Sequence, residues 1–184
     1  FDERIVEIPW IMNELKNKSG KLLDAGSTLN FKYLLQKLIK NFEVNIVTLY
    51  PEKKNYEYLG INYIYSDFLN LKYKKNTFDI ITCISTLEHV GFDNSFYKYN
   101  KNIKSKEIQR TNKQMKVLFK LYDFLKPGGN LLITLPFGKR GKYRNLRQFD
   151  KDKLKKLLVK LKARKIEKKF FLYKNKIWKK VSEQ

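Results

Sequence analysis

Two carboxylates and the sole histidine closely follow apolar runs of the sequence. Asp24 lies at the end of KLLDA, Asp67 ends INYIYSD, and His89 follows FDIITCI. Carboxylates at strand ends bind ligands, but they also cap helices and shape turns, so both interpretations stay open for Asp24 and Asp67. Imidazole titrates near neutrality. His89 is therefore the candidate for acid–base chemistry, with a positioning or a structural role as alternatives, and Glu88 either orients it or begins the next helix.

The apolar runs alternate with stretches of helical spacing. FDIITCI is continuously apolar, as expected for a strand covered on both faces. The pattern predicts strands over residues 21–25, 44–50, 61–67, 78–84 and 130–136, and helices over 29–42, 108–125 and 150–163. Strands that alternate with helices predict an α/β fold with a parallel sheet covered on both faces.

One domain over residues 1–184 is expected from the length and the apolar content. Its parts are an N-terminal helix in 1–20, the sheet in 21–138, and a basic C-terminal part in 139–184 with a helix and two strand-like runs. Pro9 is expected near the start of the first helix, because proline is favoured there. Trimming of a longer natural chain is left open at both ends.

In open parallel sheets, ligands bind outside the carboxyl ends of the strands. This rule selects candidate site residues by position alone: Asp24, Gly26 and Ser27 after strand one, Thr48 and Leu49 after strand two, Asp67 and Phe68 after strand three, and Ser85 to His89 after strand four. The sequence therefore predicts one site that gathers residues from four parts of the chain.

The net charge of +22 is concentrated in the C-terminal part, where residues 139–184 hold 19 basic and 4 acidic residues. An anionic partner such as nucleic acid is one interpretation. The other is a solvated face, since 34 lysines stand against 6 arginines and a surface that reads phosphate favours arginine. The leucine stripe of residues 154–161 is consistent with a membrane-surface helix or, preferably, a helix packed on the sheet.

The lone cysteine, Cys83, excludes an internal disulfide framework and is expected in the core. No transition-metal site is expected, because the sequence has one histidine, one cysteine and no clustered carboxylates. No apolar run approaches the roughly 20 residues that span a bilayer, and no hydrophobic leader is recognised. A cytoplasmic protein without a membrane span is expected.

Four motifs and their spacing carry a family resemblance: LLDAGS, SDFLNL, NTFDIITCISTLEHVG and LYDFLKPGGNLLITLPFG, within residues 21–138. With them the chain resembles the class I S-adenosylmethionine-dependent methyltransferases, in the type 11-like branch and a bacterial subgroup of it. The resemblance implies a three-layer Rossmann-like fold with a mostly parallel seven-stranded sheet, whose last strand is antiparallel. The C-terminal part would supply the sixth and seventh strands.

The resemblance also implies roles for the strand-end residues. Asp24 would lie near the methionine amino group of S-adenosylmethionine, and Gly26, beside Ser27, would let the backbone approach this cofactor. Asp67 would accept a hydrogen bond from the adenine amino group, with Phe68 flanking the ring. Ile84 and Ser85 would lie beside the methionine portion of the cofactor and its methyl group.

The chain departs from the family pattern at the second strand. The family ends this strand with an acid that binds both ribose hydroxyls, and here Thr48 stands at that position, before Leu49. Glu52, four residues on, is the candidate to reach back. Thr28 and Asn30 replace two loop glycines. Because this cofactor carries no phosphate, one close approach at Gly26 is sufficient.

Methyl transfer to an oxygen of a small molecule or a sugar or glycan is the leading functional hypothesis. The acceptor would be held by residues 88–106 and the segment after Pro136, and His89 could take the proton of its hydroxyl group. The run FYKYNKNIK within this loop would form an acceptor lid or stack nucleic-acid bases. An RNA or other polyanion methyltransferase and a non-catalytic binding module are the alternatives. The sequence makes no prediction of oligomeric state.

Overall fold

The computed structural model of the protein describes residues 2–92, 113–139, 141–143 and 146–182. Most of the expected acceptor loop, including the run FYKYNKNIK, lies outside these residues. Among the described residues, no helix has the length and apolar character needed to cross a membrane.

Five strands form one parallel sheet in the order β3-β2-β1-β4-β5, which is the predicted α/β arrangement. The strands are β1 Gly20–Ala25, β2 Phe42–Thr48, β3 Asn62–Tyr65, β4 Phe78–Cys83 and β5 Leu125–Ile133. The order reverses beside β1, so the loops after β1 and β4 leave the sheet on opposite faces and meet at its carboxyl edge.

Four helices accompany the sheet: α1 Arg4–Leu15, α2 Lys32–Leu38, α3 Lys113–Phe124 and α4 Lys151–Leu161. The prediction for Pro9 was wrong, because α1 begins at Arg4 and holds Pro9 inside the helix. The helix starts earlier because the Asp2 carboxylate accepts a hydrogen bond from the Arg4 amide at 3.0 Å. The carbonyl of Ile5 loses its partner at Pro9, and Ile5 is exposed, where water can replace that partner.

The second helix is shorter than predicted. Phe42 was expected on its apolar face, but it belongs to β2, pairs with Gly20 in the sheet and is buried there. Tyr33 was expected on the same face and is instead exposed, so Leu34, Leu35 and Leu38 carry the packing of α2.

Two apolar clusters cover the two faces of the sheet, which gives three layers. Leu22 and Leu23 are neighbours in β1 and point to opposite faces, so each belongs to a different cluster. On one face Leu22 packs with α1 and α2, and on the other Leu23 packs with α3 and α4. Leu157 and Leu161 of α4 are buried in the second cluster, which confirms the packed-helix interpretation of the leucine stripe. Cys83 is fully buried, as predicted.

The C-terminal part of the described chain forms two antiparallel hairpins, β6 Gly141–Tyr143 with β7 Leu146–Gln148, and β8 Phe170–Lys174 with β9 Ile177–Val181. The two strand-like runs predicted near the C-terminus therefore form β8 and β9, which pair antiparallel with each other. In the described pairing they form their own two-stranded sheet, and the central sheet has five strands rather than seven.

Candidate functional site

The carboxyl ends of the strands bring most of the predicted site residues to one edge of the sheet. Within β1, Asp24 lies between Ile46 of β2 and Thr82 of β4, and Thr48 at the end of β2 lies beside Tyr65 of β3. The loops that follow these strands are therefore neighbours. We call this region the carboxyl edge.

Asp24 is fully buried and organises the loop after β1. Its carboxylate oxygens accept hydrogen bonds from the Leu29 amide at 2.7 Å and the Thr82 hydroxyl at 2.8 Å. Burial raises the pKa of Asp24 to about 6, and the two hydrogen bonds oppose this rise. Both oxygens thus accept a hydrogen bond within the protein, as a turn-forming role requires, and a contact of Asp24 with the cofactor stays a prediction.

The loops after β1 and β4 are tied together. Gly26 has a φ of 115°, and a Cβ placed there would lie 2.0 Å from the Thr86 hydroxyl oxygen. Glycine is required here because the β4 loop passes this close. The hydroxyl groups of Thr28 and Thr86 both donate to the Ile84 carbonyl, at 2.9 and 2.8 Å. These contacts hold the two loops at a fixed separation.

Glu52 stands where the expected strand-end acid is missing. Thr48 is half-buried and its carbonyl accepts a hydrogen bond from the Ser66 amide at 2.9 Å, while Leu49 beside it is also half-buried. The Glu52 carboxylate accepts a hydrogen bond from the hydroxyl of Ser27 in the β1 loop. An acidic group thus reaches the gap between the β1 and β2 loops from a position that the strand pattern did not single out.

Asp67 lies at the end of the third strand and caps the one-turn 3-10 helix Phe68–Asn70. One carboxylate oxygen accepts from the Leu69 amide at 2.9 Å, and the other pairs with the Lys113 ammonium of α3 at 2.8 Å. Phe68 is half-buried and packs against the apolar cluster of α3 and α4. Lys113 was not expected from the sequence, because it lies on a distant helix.

Ser85, after β4, contacts α1 through Glu7. The backbone of Ser85 has a φ of 42°, and its amide donates to the Thr134 hydroxyl at 2.9 Å. One Glu7 carboxylate oxygen accepts from the Ser85 hydroxyl at 2.7 Å and from the Thr134 hydroxyl, and the other pairs with Arg4. Ile84, directly before Ser85, is fully buried. The first turns of α1 therefore lie over the ends of β4 and β5.

Sequence reasoning missed Glu7, although a signal was present. Glu7, Ile11 and Leu15 follow one another at intervals of four residues, and all three are buried on the same stripe of α1. An acid on the apolar stripe of a helix needs partners in the interior. Ser85 and Thr134 are those partners.

Glu88 and His89 lie on the one-turn 3-10 helix Leu87–His89. Glu88 is 4% exposed, and among the described residues its Oε2 atom has no hydrogen-bond partner. Burial raises the pKa of Glu88 to about 8, and the nearby Glu7 charge adds to the rise while Arg4 opposes it. His89 is half-buried and its amide donates to the Thr86 carbonyl at 3.0 Å. Its catalytic role stays a prediction.

Cavities of the described surface lie away from the carboxyl edge. One of about 540 Å³ borders α3 near Leu71 and Lys116, and one of about 390 Å³ lies at the opposite edge near Asp79 and Lys126. At the carboxyl edge itself, the side chains of Glu7 and Lys113 contact Ser85 and Asp67. The chemical groups there define the candidate site.

Comparisons with known proteins agree with this geometry. The family model Methyltransf_11, described as a methyltransferase domain, matches residues 25–133. No curated protein matches the chain. A solved S-adenosylmethionine-dependent methyltransferase from Leishmania major has a TM-score of 0.65 at 15% identity, over 96% of this chain and 70% of that one.

Two further solved structures show how widely the fold is used. The phosphoethanolamine N-methyltransferase 2 of Haemonchus contortus, in complex with S-adenosylmethionine, has a TM-score of 0.57 at 16% identity, over 86% of this chain and 36% of that one. The 4+2 cyclase SpnF has a TM-score of 0.58 at 16% identity, over 86% of this chain and 56% of that one. The chain thus spans little more than half of the cyclase and about a third of the N-methyltransferase.

At these identities the solved structures show the fold, and the family match over residues 25–133 shows the membership. The five-stranded parallel sheet, with its site at the carboxyl edge, is the Rossmann-like fold predicted from the motifs. The chain belongs to the methyltransferase domain family, whose class I members use S-adenosylmethionine as cofactor.

Proposed function

We propose that the chain binds S-adenosylmethionine across the carboxyl edge and transfers its methyl group to a small-molecule acceptor. The observation that carries this proposal is the meeting of the tied β1 and β4 loops with the carboxylates of Glu52, Asp67 and Glu7 at one edge. When bound, S-adenosylmethionine supplies an electrophilic methyl group on a positively charged sulfur.

The donor and acceptor chemistry of the edge fits this cofactor. S-adenosylmethionine carries hydrogen-bond donors on its ribose hydroxyls, its adenine amino group and its ammonium group, and it carries a positive charge. Carboxylates only accept hydrogen bonds and favour positive charge. The carboxylates of Glu52, Asp67 and Glu7 come from different parts of the chain and so are spread along the edge.

We propose that Glu52 binds the ribose hydroxyls in place of an acid at Thr48. A carboxylate accepts two hydrogen bonds from a vicinal diol, as acids after the second strand do in dinucleotide-binding folds. The Ser27 hydroxyl, which now donates to Glu52, fixes the carboxylate beside the β1 loop. The adenine amino group would then share Asp67 with Lys113 and the Leu69 amide.

The other end of the cofactor would lie along Ile84 and Ser85. Gly26 and Ser27 would border it from the β1 loop, which the Thr28 hydrogen bond joins to the β4 loop. Leu49 would border it from the β2 loop. The departing sulfur becomes neutral and needs no acid, so positioning of the acceptor in line with the methyl group supplies most of the catalysis. Asp24 would support cofactor binding through the loop that its hydrogen bonds organise, and not by contact with the cofactor.

The sequence-based hypothesis favoured an oxygen atom as the acceptor. Buried acids near Ser85 instead favour a nitrogen acceptor, because an amine is positively charged at neutral pH. The Haemonchus contortus relative is an N-methyltransferase, which agrees with this choice. A small-molecule acceptor remains preferred to a glycan, since the edge is partly covered by α1.

RNA or another polyanion as acceptor is the second candidate. The exposed lysines of α4, opposite the buried Leu157 and Leu161, favour it. Binding through several phosphates loses affinity steeply with added salt, and that dependence separates the two candidates. A non-catalytic binding module is the third candidate, and the fold alone does not decide against it, because SpnF has this fold and is named as a cyclase.

We also propose that the β8–β9 hairpin extends the central sheet beyond β5, as the seven-stranded prediction requires. Supporting contacts are the Phe137 and Phe170 rings, with centroids 5.0 Å apart, and the ion pair of Lys169 with Glu14 of α1 at 2.7 Å. The single domain over residues 1–184, the cytoplasmic location and the bacterial subgroup stay predictions.

Calorimetric titration of the full chain with S-adenosylhomocysteine tests the proposed function. We expect binding at one site per chain, weakened about tenfold to a hundredfold in Asp67→Asn, because an acceptor of a buried hydrogen bond is lost. Glu43→Gln is the matched control, since Glu43 is exposed near the amino end of β2 and pairs with Lys21. Absence of binding to the unaltered chain would rule the function out.

A further inference from the structure

Glu88 differs from the other buried acids of the carboxyl edge. Both carboxylate oxygens of Asp24 accept hydrogen bonds, and so do both oxygens of Glu7. The Oε2 atom of Glu88 is equally buried, but among the described residues it has no hydrogen-bond partner. Buried polar atoms almost always have partners, so an unpaired one calls for an explanation.

The 3-10 helix that carries Glu88 is held in place by hydrogen bonds to the Leu87 carbonyl and by the burial of Leu87. The Gln114 side-chain amide of α3 donates to the Leu87 carbonyl at 2.9 Å, and Leu87 itself is fully buried in the core. The Val90 amide donates to the same Leu87 carbonyl at 3.3 Å. Because this turn is fixed, the Glu88 side chain is held inside rather than turned out into water.

The charged groups around Glu88 come from two elements. Glu3, Arg4 and Glu7, at or beside the start of α1, all act on its pKa, and Cys83 of β4 has its own pKa raised by burial and by the Glu88 charge. Arg4 is already paired with Glu7. The one cation among these groups is therefore already engaged, which favours a ligand that brings another.

We propose that Glu88 receives the amine of the methyl acceptor and takes its proton. The proposal rests on the proposed function, and it deepens it by naming an amine as the acceptor class. Glu88 lies three residues after Ser85, the residue expected beside the methyl group, so an amine at Oε2 would be close to the site of transfer.

The proton step is balanced within this pair. An N–H bond of the ammonium breaks, an O–H bond forms at Oε2, and the electron pair stays on nitrogen, where it can accept a methyl group. In a dry site the neutral acid and amine are favoured over two separated charges. A carboxylate is too weak a base for an alcohol, whose hydroxyl holds its proton nearly as tightly as water does.

The electrostatics of Glu88 support this role. Its pKa of about 8 lies much closer to that of an amine than an ordinary carboxyl group does, which eases the transfer. At neutral pH the free protein holds Glu88 mostly protonated. Arrival of an ammonium group then expels one proton, because the pair holds one proton fewer than its separate parts.

The experiment uses the full chain with carboxyl-13C-labelled glutamate, saturated with S-adenosylhomocysteine. Methylammonium is the probe, and methanol is its uncharged match. We expect methylammonium to shift the Glu88 carboxyl signal and methanol to leave it unchanged. Below the pKa of Glu88, the affinity for methylammonium should rise about tenfold for each pH unit, because binding releases one proton.

Two variants complete the test. Glu88→Gln identifies the signal and should bind S-adenosylhomocysteine like the unaltered chain, while Glu43→Gln should leave the Glu88 signal and its response in place. A Glu88 signal that ignores methylammonium, or that responds equally to methanol, overturns the inference. If S-adenosylhomocysteine does not bind in the same samples, the proposed function fails; if it binds while Glu88 ignores the amine, only this inference fails.

Discussion

The two halves of the carboxyl edge are built differently. On the side of β1 to β3, Ser27, Glu52 and Asp67 are half-buried and belong to loops that directly follow strands or lie a few residues on. On the side of β4 and β5, Glu7 and Glu88 are buried, and Glu7 comes from a helix near the N-terminus. Loop geometry thus builds the half proposed to bind the cofactor, called the binding half, while packing of a distant helix builds the half proposed for methyl transfer, called the transfer half.

This difference teaches how one edge can serve two chemical tasks. Binding a cofactor that is released each cycle requires polar groups that exchange partners with water, and half-buried side chains permit that. Holding a carboxyl group away from its usual pKa requires removal from water. The second half, where α1 covers the ends of β4 and β5, provides such burial for Glu88, as the interior of β1 does for Asp24.

The largest expected effect concerns the transfer half, where Glu88 should make the free energy of unfolding depend on pH. The pKa of Glu88 is raised to about 8, so the folded protein holds a proton that the unfolded chain releases near the ordinary value of 4.5. Between those values the free energy of unfolding should fall by up to about 1.4 kcal/mol per pH unit as pH rises. Glu88→Gln should lose this slope in urea unfolding measured from pH 5 to pH 8. An unchanged slope would contradict the burial of an unpaired carboxyl group.

Gly26→Ala should break the junction between the two halves. The new Cβ would meet the Thr86 side chain at a positive φ, so we expect a loss of roughly 2–4 kcal/mol in stability and of most cofactor affinity. Gly60→Ala is the control, because Gly60 also has a positive φ but open space around it. Thermal unfolding measures both; equal losses would show that crowding by Thr86 is unimportant.

Moving the acidic side chain from residue 52 to residue 48 tests whether this acid of the binding half contacts the ribose. Glu52→Gln should weaken S-adenosylhomocysteine binding by about 1.5–3 kcal/mol, the range for a hydrogen bond to a charged group. Adding Thr48→Asp to that variant should recover much of the loss, since Thr48 ends β2 at the same edge. The effect of Glu52→Gln should be smaller for 2′-deoxy-S-adenosylhomocysteine, which keeps only one of the two ribose hydroxyls. A full effect on the deoxy ligand would place the acid away from the ribose.

The smallest effect concerns Lys113. Its ammonium occupies one oxygen of Asp67, so Lys113→Met should free that oxygen and strengthen S-adenosylhomocysteine binding by up to about 1 kcal/mol, the range for a partly exposed ion pair. Calorimetry compares this variant with Lys116→Met, an exposed position of the same helix. Weaker binding in Lys113→Met would mean that the lysine contacts the ligand.

Strand ends were predictable from the sequence because a parallel sheet brings its carboxyl ends to one edge. That rule placed Asp24, Asp67 and Ser85 together without any knowledge of contacts. The rule alone does not select Glu52, which was named only as a candidate to reach back from four residues beyond Thr48, and its contact with Ser27 depends on loop geometry. Periodicity describes strands and helices, but it carries no information on where a loop side chain points.

Contacts between distant segments were the other part that the sequence left undetermined. Glu7 and Ser85 are 78 residues apart, and Asp67 and Lys113 are 46 residues apart. Their pairing depends on how α1 and α3 pack on the sheet, which no local pattern records. The prediction that Pro9 lies near the start of α1 was wrong for a related reason, because Asp2 and not the proline sets that start.

A crystal structure of the full chain with S-adenosylhomocysteine tests the central claim most directly. We predict the ligand along the carboxyl edge, with its ribose hydroxyls on Glu52, its adenine amino group on Asp67, and its sulfur near Ser85 on the side of Glu88. Ligand density in the cavity beside α3 or at the opposite edge of the sheet, with the Ser27–Glu52 contact unchanged, would contradict the account.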